Sequence, residues 1–258
     1  MLYCRFEHAG RVSYGVVDGD QVTRLDDGLF GNHKPSGKAV ALSDVRLLAP
    51  VEPRKILAAA VNYQSHVPSG GSVLKDDGAP KIPQLFLKPT SSIIGPEDTI
   101  ILPAEARRVD AEGEVVAVIG RTCRKVSVER ALDYVFGYTA GNDVSARHWQ
   151  RDDIQWWRAK GSDTFSPLGP FIVTGLDAAN IGLHTRVNGA EVQSGNTTDL
   201  IHSIAAMISF ASQVMTVEPG DVLYTGTPGE PPKLDDGDLV EVEVEGAGIL
   251  RNPVKRET

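Results

Sequence analysis

Cysteine is scarce: Cys4 and Cys123 are the only two in 258 residues. Neither has a partner at a CxxC-type spacing, which excludes a disulfide framework and a cysteine-ligated zinc site. Usage this sparse fits a reducing cytoplasm. Long apolar runs are missing as well. The longest, such as Ile56 to Val61, reach about six residues where a membrane span needs about 20. Positive charge is in deficit, with 26 Lys and Arg against 34 Asp and Glu and a formal net charge of −8. An acidic chain repels phosphate backbones, so no nucleic-acid partner is expected. The opening MLYCRFEHAGRV carries Arg5, Glu7 and Arg11, so no signal-peptide apolar region is expected there. Together these absences lead to the expectation of a cytoplasmic protein with no membrane partner.

Glycine (26) and proline (16) are plentiful, which points to many turns and a β-rich chain. The length suits one large domain with a small appendage, enough to bury a core without staples. A small N-terminal β unit is expected at 1–50, ahead of the bracketing Pro50 and Pro53, and a larger domain at 51–258. Asp18-Gly19-Asp20 and Asn188-Gly189 read as hairpin turns. Lys55 to Val61, Ala111 to Gly120, Val135 to Asn142, Pro170 to Val173 and Leu239 to Val244 read as strands. Ser127 can cap a helix over Val128 to Val135. The spacing of Ile201, Ile204, Ile208 and Met215 predicts a helix over Thr198 to Met215. Between Asn62 and Pro83 lies a stretch rich in Ser, Gly, Pro and Asp, which fits either a lid or a plain surface excursion.

The sharpest local feature is Glu112-Gly113-Glu114, running into the apolar Val115 to Ile119. On a strand both carboxylates point to one face. At a buried edge they repel and need protonation, a cation or a metal; at a solvated edge they are surface charge. Asp143, in Gly141-Asn142-Asp143, is either a third acid of the same site or a turn residue. Three carboxylates with open remaining positions suit Mg²⁺ or Mn²⁺, which prefer oxygen ligands. His66, Lys160 and the Thr225-Gly226-Thr227-Pro228 turn are each unremarkable alone. Trp149, Trp156 and Trp157 lie near these segments and are expected in the core rather than a pocket.

The order of these strings is distinctive. Asn62-Tyr63-x-x-His66, LFLKPTSSIIGP (85–96), Glu112-x-Glu114, GYTAGNDVSAR (137–147), RAKGSDTFSPLGP (158–170), VNG (187–189), EPGDVLYTGTP (218–228) and LRNPV (250–254) together resemble the fumarylacetoacetate hydrolase superfamily. Within it the chain is similar to 2-hydroxyhepta-2,4-diene-1,7-dioate isomerases and to acylpyruvate and fumarylpyruvate hydrolases. The resemblance implies a mainly β fold with a few helices, a mixed β-roll with a small N-terminal β domain, assembled as a homodimer. It implies metal ligands Glu112, Glu114 and Asp143, holding Mg²⁺ or Mn²⁺. It implies that Arg147 and Gln150 hold a substrate carboxylate, that Lys160 stabilises charge on the substrate oxygen and that Thr227 contacts the bound acid. His66 would be the lid base, positioned by Asn62 and Tyr63.

The substrate implied is a small 2-oxo or enol carboxylic acid. Its carboxylate and keto oxygens can chelate one hard cation, which then stabilises an enolate. Hydrolysis of a C–C bond in a 2,4-diketo acid is the first expectation. Isomerisation of a 2-hydroxydienedioate, tautomerisation of oxaloacetate and decarboxylation are alternatives on the same site. A non-catalytic metal-dependent binding protein is the reading of another class, and the presence of His66, Lys160 and three acids argues against it. Two positions depart from the family pattern. Ser69 stands where a glutamate commonly pairs with the lid histidine, which weakens the case for hydrolysis. Glu230 is the candidate replacement for that glutamate. His148 stands where an aspartate is usual.

Overall fold

The computed structural model describes residues 1–69 and 78–258, with the backbone alone for 68 and 69. The architecture is mainly β, with two large mixed sheets and few helices. The larger, 12-stranded sheet runs Ser166–Val173, Val135–Asn142, Gly113–Ile119, Val222–Tyr224, Ile56–Ala60 and Gln84–Lys88 in spatial order, the last at its edge. Most neighbours run antiparallel, but Val222–Tyr224 lies parallel to Ile56–Ala60. The N-terminal strands Leu2–His8, Arg11–Asp18 and Gln21–Arg24 continue the same sheet, Leu2 pairing with Val173 and Tyr3 with Ile172. The chain turns at Pro50 to Pro53, but the sheet runs through.

A five-stranded sheet packs across one face, built from Ala190–Asn196, Gly182–Val187, Leu239–Val244, Gly248–Arg256 and Ile100–Leu102. Strand Gly113–Ile119 shows why both layers hold. Val115, Ala117 and Ile119 pack with Leu183, Val242 and Leu250 of the second sheet. Val116 and Val118 pack on the opposite face with Ile56, Leu168 and Tyr224. A strand apolar on both faces is stable only when both faces are covered. Cys4 and Cys123 are buried and free, and burial pushes the Cys4 thiol up to about 12.

Among the described residues four α-helices interrupt the sheets: α1 (Val128–Ala131), α2 (Arg147–Asp152), α3 (Trp157–Gly161) and α4 (Ile204–Val214). None is long and apolar enough to cross a membrane among the described residues. Helix α4 starts six residues later than the spacing predicts. Asn62 claims the backbone there: Ile201 N donates to Asn62 O at 2.8 Å and His202 N to Asn62 Oδ1 at 2.9 Å. Ser203 then caps the helix, its Oγ accepting from Ala206 N at 3.2 Å. Ile204, Met207, Ile208 and Ala211 of α4 enter the core. Helix α1 is also shorter than expected, giving way to a 3₁₀ turn at Leu132–Tyr134 before strand Val135–Asn142 begins. Trp149 packs against the core cluster of Ile100, Phe165 and Leu234, but the other two tryptophans correct the core expectation. Trp157 is 72% exposed, and Trp156 is half-buried edge-on to Phe86.

Candidate active site

Antiparallel pairing of Gly113–Ile119 with Val135–Asn142 sets Gly113 opposite Asn142. Two further bonds lock the strand ends: Asp143 N donates to Glu112 O at 2.8 Å, and Glu112 N to Asn142 Oδ1 at 2.9 Å. The register thereby brings Glu112, Glu114 and Asp143 together, one oxygen of each lying within 4.8 Å of the others, all three buried. Gly113 must be glycine, because a Cβ there would sit 2.0 Å from Thr185 Oγ1 of the second sheet.

Cations surround two of the three acids. Lys160, on α3, donates to Glu112 Oε2 and to Asp143 Oδ2, each at 2.6 Å. Lys88 donates to the other oxygen of Asp143, and to Phe165 O at 2.7 Å. Arg147 donates from Nη2 to Glu112 Oε1 at 2.6 Å, from Nε to Asp110 Oδ2 at 2.7 Å and from Nη1 to Gln150 Oε1 at 2.9 Å. Among the described residues Glu114 receives only a backbone N–H, from Gly226 at 2.6 Å. Gly226 has φ +99°, and a Cβ there would sit 2.9 Å from Asn62 Cβ, so glycine is what lets this N–H reach the carboxylate.

The charges follow from these partners. Burial opposes ionisation of Glu112, but Arg147, Lys160 and His66 outweigh it and hold the carboxyl well below the usual range. Burial, then Asp143 and Glu112, push Glu114 well above it, and the Gly226 N–H offsets this only in part. Burial also works against the charge of Lys160, yet Asp143 and Glu112 raise it and keep it an ammonium.

Residues 55–255 match the model of the fumarylacetoacetate (FAA) hydrolase C-terminal domain. The chain belongs to the fumarylacetoacetate hydrolase family. Residues 1–50 match the Rv2993c-like N-terminal unit. Three relatives bracket the family's chemistry. A 5-carboxymethyl-2-hydroxymuconate delta-isomerase from Mycobacterium smegmatis is 45% identical, with TM-score 0.92 over 100% of both chains. The mitochondrial oxaloacetate tautomerase fahd2 of Xenopus laevis is 41% identical over 82% of this chain and 69% of its own. A maleylpyruvate hydrolase from Sphingobium sp. SYK-6, solved with manganese(II) and pyruvate, is 32% identical, with TM-score 0.82 over 100% of both chains.

In this fumarylacetoacetate hydrolase family chain the acidic triad fits a divalent cation on its donor chemistry. It offers hard oxygen ligands, and a cation would favour the ionised form of Glu114, which burial, Asp143 and Glu112 oppose. A raised carboxyl has a definite pH signature. The folded value of Glu114 exceeds the unfolded one, so stability drains as pH rises above about 4.3, the unfolded value. Glu112 behaves oppositely: its contribution is present above that value and is lost as pH falls through its depressed folded value. Metal-free Glu114→Gln is therefore expected to gain stability over wild type increasingly above about pH 4.3. Urea unfolding in EDTA at stepped pH measures this, and parallel curves for the two proteins would refute it.

The remaining expected residues fall into two groups. His66 is 7% exposed, its Nδ1 2.6 Å from Gly229 O, and its protonated form favours ionisation of Glu112. Thr227 Oγ1 accepts from Gln193 Nε2 at 2.9 Å, and Gln193 Oε1 accepts from Gly113 N at 3.3 Å, which ties the turn to the acidic strand. Asn62 is spent on scaffolding, donating to His202 O and Thr225 O and accepting from His202 N. Tyr63 is fully buried, its hydroxyl without a hydrogen-bond partner among the described residues, and its ionisation is opposed by burial and then by Glu114. Glu230 is not brought onto His66. It is exposed, and the group on Nδ1 is the neighbouring Gly229 carbonyl. The Ser69 side chain lies outside the described residues. His148 packs on Trp149, ring centroids 5.1 Å apart. Sequence reasoning missed Lys88 and Gln193. Lys88 carried a signal, a lone lysine in the apolar LFLKP string; Gln193, on a polar hairpin strand, carried none.

Proposed function

We propose that this chain is a divalent-metal-dependent enzyme that moves a proton on a small 2-oxo or enol carboxylic acid, by keto–enol tautomerisation or double-bond isomerisation. The observation that carries this reading is the setting of His66. A carbonyl oxygen can only accept, so the bond to Gly229 O requires the proton on Nδ1. In the neutral ring Nε2 is then the bare nitrogen, the one that can take a proton. Glu112 stabilises the imidazolium that forms when Nε2 takes a proton from the carbon beside the keto group.

Mg²⁺ or Mn²⁺ held by Glu112, Glu114 and Asp143 supplies Lewis-acid polarisation of the 2-oxo group. Lys160, kept charged by Glu112 and Asp143, places a second positive charge where the enolate oxygen develops. The Arg147 guanidinium is committed to Asp110, Glu112 and Gln150, so its part is to position. Gln150 accepts from Arg147 through Oε1, which turns its amide N–H groups outward as donors for the substrate carboxylate. Thr227 stands beside the strand as a further contact. In isomerisation His66 returns its proton at another carbon, and in tautomerisation the proton goes to the enolate oxygen, so the proton count closes in both.

Hydrolysis of a C–C bond is the second reading, supported by similarity to the maleylpyruvate hydrolase. It asks more of the base, since His66 must deprotonate water. Among the described residues His66 is hydrogen-bonded to a backbone carbonyl and to no carboxylate. Proton NMR in D₂O with Mn²⁺ or Mg²⁺ separates the readings on oxaloacetate, a 2-hydroxydienedioate, acylpyruvates and fumarylpyruvate, with EDTA as control. Metal-dependent deuterium uptake or isomer interconversion without cleavage is expected. Two shorter acids would establish the hydrolase instead. His66→Asn is expected to lower kcat by about 10²–10⁴-fold while Mn²⁺ still binds; retained turnover would dismiss His66 as the base.

A further inference from the structure

A cleft of about 410 Å³ opens beside the carboxylate cluster, within the usual range of small-molecule sites. Two of its walls join it to the site. Phe86 forms one, with Lys160 Nζ 5.3 Å from its ring centroid. Gln150 forms the other, bonded to the Arg147 that binds Glu112. Further out the wall is apolar. Trp156 meets Phe86 edge-on at 5.3 Å between centroids, and Ile154 is 99% exposed.

Two charged residues line this cleft, and they are not equivalent. Asp153 is fully engaged, its two oxygens taking bonds from Arg158 at 2.6 and 2.7 Å. Arg151 also pairs through two bonds, Nε to Asp152 Oδ1 at 2.7 Å and Nη2 to Oδ2 at 3.1 Å, but both partners are more than half exposed and Asp152 does not line the cleft. A solvent-exposed pair of that kind is weak and readily exchanged. The cleft therefore presents one available charge, and it is positive. Arg147, Gln150 and Arg151 stand at i, i+3 and i+4 of α2, on one helix face. That face leads from Glu112 at the cluster to the guanidinium in the cleft.

We propose that Arg151 binds a second carboxylate at the far end of the substrate, and so selects dicarboxylic 2-oxo acids over monocarboxylic ones of the same length. The inference rests on the reading that the 2-oxo acid head is held at Glu112, Glu114 and Asp143. The Phe86–Trp156 wall takes the carbon chain between the two ends. The planar guanidinium suits bidentate capture of a carboxylate.

The test uses 2-oxoheptanedioate and 2-oxoheptanoate, which share head and chain and differ at the terminal carbon. Each is titrated calorimetrically into the Mn²⁺-loaded protein, wild type and Arg151→Gln. Wild type is expected to bind the diacid at least about tenfold tighter, and Arg151→Gln to bring the ratio near one. A ratio near one in wild type, or a preference that survives the substitution, overturns the proposal and leaves the head-group reading standing. Failure of both acids to bind wild type overturns the head-group reading, and this proposal with it.

Discussion

Asp143→Asn is expected to abolish divalent-metal binding and turnover together, and to destabilise the metal-free protein by about 3–5 kcal/mol. The residue is 1% exposed and holds two buried ammonium groups, Lys88 on one oxygen and Lys160 on the other. An amide can accept from one of them and clashes, donor to donor, with the second. Lys160 retains Glu112, but Lys88 is left with the Phe165 carbonyl alone. Burial already lowers the proton affinity of Lys88 against the pull of Asp143, so the variant is expected to shed that proton and recover part of the loss. Glu114→Gln is the control that isolates the metal. It removes a ligand but keeps an acceptor for Gly226 N–H, so it should lose Mn²⁺ without losing stability. Manganese titration and urea unfolding in EDTA read both quantities. An Asp143→Asn protein as stable as wild type would sink the account of the buried charge pairs.

Lys160→Met is expected to separate two effects that usually move together. Turnover should fall by about 10²–10³-fold, as for loss of a donor aimed at developing charge. Mn²⁺ should bind more tightly than in wild type, because a cation 2.6 Å from Glu112 and Asp143 competes for the same oxygens. The methionine fills similar volume, and Phe86, now under Lys160 Nζ, can accept it as an apolar neighbour. Steady-state kinetics at saturating metal and direct manganese titration measure the two terms. Weaker metal binding with the same kinetic loss would mean that Lys160 holds the carboxylates in place and has no separate part in turnover.

Much of the site was readable in order along the chain, and its partners were not. Glu112 and Glu114 share a face because strand side chains alternate, a property that needs no knowledge of the rest of the fold. His66 is different. Whether it has a carboxylate partner depends on a turn 163 residues away, and there the backbone of Gly229, not the side chain of Glu230, arrives at Nδ1. Helix α4 shows the same limit. Apolar spacing predicts helix back to Thr198, but Asn62, 140 residues distant, takes the N–H of His202. Trp157 is solvated although its neighbours Ala159 and Lys160 are buried, because the short α3 turns that face outward.

The sequence by itself determined the mainly β architecture, the family and the three acids. These rest on local pattern: turn residues, side-chain alternation and strings whose chemistry is carried by adjacent positions. Tertiary structure alone decided which charges meet. Lys88 reaches Asp143 across 55 residues, and Gln193 reaches Gly113 across 80. Electrostatic energy depends on separation in space and on burial, and neither is a function of distance along the chain. That is why one acid of the triad is held ionised and another is pushed toward protonation, although the two stand two residues apart on the same strand edge.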